Sequence, residues 1–92
     1  LIIDVRSEEE FREVHILGAV SAPLGEFKDY LKSIPRYRPV VLYWACPHDL
    51  ACLAYGILYE NGYRNMKVLD EGIVGWYEKH YPMEGTKAPP RS

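Results

Sequence analysis

Cys46 stands in the segment Cys46-Pro47-His48-Asp49, between a continuous β-prone run, Val40-Val41-Leu42-Tyr43-Trp44, and a helix-patterned run from Leu50 to Asn61. A cysteine between a strand end and a helix N-terminus meets unpaired backbone N–H groups and the positive end of a helix dipole. Both favour thiolate over thiol. A thiolate is a nucleophile, so Cys46 is the candidate for covalent catalysis; the competing reading is a cysteine that only fills space, since free cysteine is among the most buried residue types. Cys52 lies six positions further on, in the first turn of the helix, and reads as a small core residue or, more sharply, as a resolving thiol for Cys46. The pair reaches disulfide geometry only if the chain folds back to bring their Cα atoms within about 7 Å. Two cysteines make neither a disulfide scaffold nor the ligand spacing of a zinc site.

Other polar residues could serve the same site. Asp4 and Arg6 close the first apolar run and either buttress the Cys46 segment or form a partly exposed ion pair worth about 0–1 kcal/mol. His48, next to the candidate nucleophile, could donate to an incoming substrate or orient a partner, against the plainer reading of a solvated loop histidine. Trp44 reads as a wall of a pocket beside Cys46 or as packing, and Trp76 and Tyr77 as core aromatics.

The elements that must position these residues follow from pattern. Leu1, Ile2, Ile3 and Val5 make a short buried strand, and Ser7 with Glu10 makes a capping box that opens a helix. Phe11 and Val14 lie on the apolar side of that helix, which stops before Gly18; Ala19, Val20 and Ala22 predict a brief strand ended by Pro23. Phe27, Tyr30, Leu31 and Ile34 recur at the spacing of one helical face, closed by Pro35. The run 40–44 reads as the sheet centre, covered on both faces. LACLAYGILYEN, apolar nearly all round and followed by Gly62, predicts a deeply packed helix. Met66, Val68 and Leu69 make another strand, Gly72 opens a turn, and Ile73, Trp76 and Tyr77 mark a last helix before the polar tail GTKAPPRS. Strands alternating with helices predict an α/β fold: a mainly parallel sheet of about four to five strands with helices on both faces, in one domain over 1–84 with a flexible tail at 85–92. In such sheets ligands bind beyond the carboxyl ends of the strands, which is where Cys46 falls.

Composition narrows the function classes. A chain of 92 residues, 48% hydrophobic and 26% charged, is an ordinary globular domain. A net charge of −2, with no cluster of Lys and Arg on any predicted element, gives no footprint for a phosphate backbone, so nucleic acid is not an expected partner. No apolar run approaches the roughly 18 residues of a membrane span, and LIIDVRSEEE lacks the basic and long apolar regions of a signal peptide. The chain opens at Leu1, already inside an apolar run, so an excised or processed piece is expected; the compartment is not encoded, with the cytoplasm as default.

The segments DVR (Asp4 to Arg6), EEF (Glu9 to Phe11), HILGA (His15 to Ala19), VVLY (Val40 to Tyr43), NGY (Asn61 to Tyr63) and VLDEGIVGW (Val68 to Trp76) resemble, in order and spacing, the rhodanese-like domain family over about residues 1 to 83. The family pattern carries a further strand and helix before the DVR aspartate, so the resemblance implies an uncovered sheet edge here. It also implies that Cys46 carries sulfane sulfur in a loop whose backbone N–H groups point at the sulfur, that Asp4 and Arg6 support that loop, and that His15 organises a turn. The usual family loop, CxxGxRS, has its small hydroxyl residue six after the cysteine, where this chain has Cys52. Its glycine and arginine positions fall on Asp49 and on Leu50 or Ala51, so the cationic anchor is missing and weak activity toward thiosulfate is expected. Pro47 removes one N–H from the cradle. A rhodanese-related phosphatase would need Cys-x5-Arg, and position 52 is not arginine.

The resemblance therefore implies a sulfurtransferase-type domain that takes sulfur from a persulfide, polysulfide or thiosulfate and passes it to a thiol acceptor, with no cofactor and no metal. The alternative is a catalytically weak or inactive module used for protein binding, regulation or redox sensing, with a protein partner or fused domain.

Overall fold

The computed structural model describes residues 1–44, 49–69, 73, 76, 78, 79 and 81–85. The predicted site residues Cys46, Pro47 and His48, the turn residue Gly72, Tyr77 and the segment 86–92 lie outside the described residues.

Four short parallel strands form the main sheet: β1 (Ile2–Asp4), β3 (Val20–Ser21), β4 (Val40–Tyr43) and β5 (Met66–Val68), in the order β3-β1-β4-β5. β1 and β4 occupy the centre, and the register pairs Asp4 directly with Tyr43. The two faces are covered by different elements. On one, Ile3, Val5, Val40 and Leu42 pack with Phe27 and Ile34 and with Ala51, Ala54 and Leu58 of α2 (Asp49–Glu60). On the other, Tyr43 packs with Val14, Ile16, Ala19 and Ile73, flanked by Phe11 of α1 (Glu8–Glu13). This is the mainly parallel α/β architecture read from the sequence.

The capping box stands as read: Ser7 Oγ accepts from Glu10 N at 3.2 Å, and Glu10 Oε1 accepts from Ser7 N at 3.4 Å. The helix is shorter than its apolar pattern suggests. Val14, expected on its apolar side, instead starts β2 (Val14–Ile16), which pairs antiparallel with β6 (Met83–Gly85). This second small sheet was not foreseen, because three-residue strands at distant positions leave no local periodicity. Gly85, which the sequence assigns to the tail, ends β6 with φ +130°, and a Cβ there would run into the backbone of Glu13 and Val14. The strands can close on each other here because the residue is glycine.

Two further expectations change. The segment Leu24–Ser33 is a 3-10 helix, not an α-helix. Leu24, Phe27 and Tyr30 recur every three residues and eclipse in a 3-10 helix, and over ten residues the same apolar set satisfies either period. α2 is not deeply packed all round: Ala51, Ala54 and Leu58 are buried while Cys52, Leu53, Tyr55 and Tyr59 are exposed. It lies on the sheet with one face only. Among the described residues no helix is long and apolar enough to cross a membrane.

Candidate functional site

β4 is flanked on both sides by strands, so the chain leaves the interior of the sheet after Tyr43. The chain then runs through residues 45–48 to the helical backbone of Asp49 and Leu50. Predicted site residues at 49 to 52 thus belong to α2. Ala51 is buried against the sheet. Cys52 is a free, exposed thiol, which overturns its reading as a core residue: Ala51, Ala54 and Leu58 take the inward face, and the next position along a helix of 3.6 residues per turn points away from it.

Beneath this end of the sheet lies a buried polar network that the sequence only half revealed. Asp4 is 0% and Arg6 1% exposed, so the pair is not the partly exposed ion pair weighed from sequence. Arg6 Nε donates to both Asp4 oxygens at 3.2 Å and Nη2 donates to Oδ2 at 2.9 Å. The Arg6 backbone N–H adds a bond to Oδ1 at 2.8 Å, and Nη2 also reaches the carbonyl of Val14. Tyr43 completes the network: its hydroxyl donates to Asp4 Oδ2 at 2.7 Å and accepts from the backbone N–H of Ile16 at 3.1 Å. The side chains of Asp4 and Tyr43 meet because their strands pair in register, and both lie on the face opposite α2. The sequence marks Tyr43 only as a strand residue; a tyrosine in a strand covered on both faces is the signal that its hydroxyl needs a partner.

Burial, reinforced by the negative charge of Asp4 and the hydrogen bond to it, pushes the Tyr43 hydroxyl far above its ordinary value of 10.0. A hydroxyl whose pKa rises on folding leaves stability intact below pH 10.0 and erodes it as pH climbs beyond that value. In an alkaline titration followed by tyrosinate absorbance, one of the eight tyrosines should therefore stay protonated until the fold opens. That lagging group should be absent from Tyr43→Phe, a substitution that leaves the Ile16 N–H without its acceptor and should cost about 1–3 kcal/mol in urea unfolding.

The remaining candidates are placed as follows. Trp44 is partly buried on the α2 side of the sheet, and its carbonyl accepts from Ile73 N at 2.9 Å. His15 stacks on Phe11 with ring centroids 3.8 Å apart, its Nδ1 is 2.7 Å from the Phe11 carbonyl, and its Nε2 is 3.4 Å from Glu84. It ties α1 and β2 to β6, in keeping with a turn-organising role.

Comparison with known proteins bears on this arrangement. A family model described as the rhodanese-like domain matches residues 1–79. The chain is similar to the HTH-type transcriptional regulator Rv0324 of Mycobacterium tuberculosis, 28% identical over 90% of this chain; it spans only 37% of that protein. It is also similar to the thiosulfate sulfurtransferase GlpE of Coxiella burnetii, 25% identical over 95% of this chain and 80% of the relative. Among solved structures, the rhodanese-like domain of the Alr3790 protein from Anabaena superimposes with a TM-score of 0.86 over 99% of this chain and 71% of its own, at 24% identity, a likeness of fold. The likeness of fold and the match over residues 1–79 agree: the chain belongs to the rhodanese-like domain family.

Proposed function

We propose that the domain is a sulfurtransferase that carries sulfane sulfur on Cys46. The observation that carries this reading is the similarity to a thiosulfate sulfurtransferase along 95% of the chain, in which Cys46 follows the central strand in sequence and precedes α2. The Cys46 thiolate attacks the outer sulfur of the donor; the donor's sulfur–sulfur bond breaks, the leaving group departs with the electron pair, and Cys46 becomes a persulfide. An acceptor thiolate then attacks that outer sulfur and regenerates the Cys46 thiolate, a ping-pong cycle without metal or organic cofactor. Backbone N–H groups at the start of α2 favour the anionic forms of sulfur.

The donor is a persulfide or polysulfide in preference to thiosulfate, because the segment after Cys46 has Asp49, and Leu50 or Ala51, where the family commonly has glycine and arginine. Intact mass after incubation with polysulfide should register a gain of one sulfur atom, reversed by a thiol reductant, with a smaller modified fraction from thiosulfate at equal concentration. No gain from either donor would leave the second reading, a binding or regulatory module. That reading is favoured by the similarity to a transcriptional regulator of which this chain spans 37%.

A further inference from the structure

The end of the sheet where β4 and β5 begin, opposite the end at Tyr43, has its own cavity, of about 470 Å³. Lys28, Lys32 and Arg36 line it together with Leu31, Asn61 and Tyr63, and among the described residues no carboxylate does. The chain carries a net charge of −2, yet residues 28–38 hold four cations and one carboxylate. These cations are divided between a helix-patterned segment, with Lys28 and Lys32, and the loop after it, with Arg36 and Arg38, so no single predicted element carries a cluster. Among the described residues no ion pair engages Lys28, Lys32 or Arg36.

The site is built rather than merely charged. Arg36 lies with its guanidinium carbon 4.9 Å from the centroid of the Tyr63 ring, and Nη1 donates to the carbonyl of Asn61. Gly62 makes room for it: φ is +93°, and a Cβ there would stand 2.7 Å from Arg36 Nη1. Most of the guanidinium donors are left over after that single bond. Tyr63 Oη meets the carbonyls of Leu31 at 2.9 Å and Ile34 at 2.5 Å, so acceptors at the end of the 3-10 helix that would repel an anion are engaged.

We propose that this cavity binds a small organic anion carrying two or more negative charges. Three cations with no ion-pair partner among the described residues surround one cavity and match a multivalent charge, the volume falls within the range of small-ligand pockets, and Leu31 offers apolar surface to the body of the ligand. The charged groups are phosphoryl or carboxylate, and the two are told apart by the probe.

The test is calorimetric titration of the full chain with tripolyphosphate and, separately, citrate, with binding mapped by backbone amide shifts. At low ionic strength at least one probe should bind, moving amides of residues 28–36 and 61–63, and the preferred probe assigns the anion class. Affinity should weaken as salt is raised. The exposed double substitution Lys28→Glu with Lys32→Glu should weaken binding about tenfold or more without changing the circular dichroism spectrum. Arg36→Gln, which adds no negative charge, should weaken it in the same direction. The proposal is overturned if neither probe moves those amides at millimolar concentration, or if the double variant binds as the parent does. It is also overturned if an oligoglutamate peptide binds more tightly than both small anions, which would make the surface a dock for an acidic protein segment.

Discussion

Arg6→Met should lower the unfolding free energy by about 3–5 kcal/mol, the range found when one partner of a buried ion pair is removed. The loss exceeds that of one contact because the substitution strands others. Asp4 would keep only the Arg6 backbone N–H and the Tyr43 hydroxyl, and the Val14 carbonyl would lose its guanidinium donor. Against a total stability of about 5–15 kcal/mol for a domain of this kind, that is enough to shift the melting temperature by ~15–30 °C. A thermal melt of the variant measures it. Arg6→Met combined with Asp4→Asn should be less destabilised than the sum of the two single changes, since the pair removed together leaves no isolated charge. Full additivity would mean that the two residues act independently, contrary to their bidentate geometry.

Cys46→Ser should abolish sulfur uptake from polysulfide while leaving the thermal melt within about 0.5 kcal/mol of the parent, as expected of a near-isosteric swap of sulfur for oxygen. The chemical reason is that an alcohol at neutral pH is not ionised and forms no persulfide, whereas a thiol near a helix N-terminus is substantially thiolate. Cys52→Ser run in parallel separates the two thiols. If Cys52 only sits on the exposed face of α2, uptake is unchanged. If sulfur is lost from Cys46→Ser and retained by Cys52→Ser, the nucleophile is assigned; sulfur retained by Cys46→Ser would end the proposal for Cys46. Mild peroxide followed by non-reducing mass analysis tests the redox reading with the same two variants, through the loss of two protons that disulfide formation requires.

Much of this molecule is legible in its sequence where the physics is local. Ser7 and Glu10 specify a helix start by mutual hydrogen bonding within four residues, and the apolar run ending at Tyr43 specifies a strand covered on both faces. The DVR segment points to Asp4 and Arg6, but not to how deeply they are buried or to their third partner, because that depends on the parallel register that sets Asp4 opposite Tyr43. Likewise the apolar outer face of α2 reads as a buried helix, since a sequence records how apolar a residue is and not whether anything lies against it. Leu24, Phe27, Tyr30 and Leu31 fall on one face at either 3.0 or 3.6 residues per turn, so the apolar pattern does not tell the two helices apart. Cys46 owes its candidacy to its place between two strong elements and to the family resemblance, both visible without coordinates.

The antiparallel pairing of β2 with β6 has a consequence for synthesis. Residues 14–16 leave the ribosome long before residues 83–85, so the pairing edge of β2 waits unpaired while nearly the whole domain is made. The other pairings also join distant segments, and none is a hairpin, so the sheet has no local nucleus and must draw on the helices to organise it. The capped start of α1 and the long α2 can form early, whereas the small sheet cannot close before residues 83–85 are made. During that interval Val14 and Ile16, later buried, are the segment most open to a chaperone or to a neighbouring nascent chain.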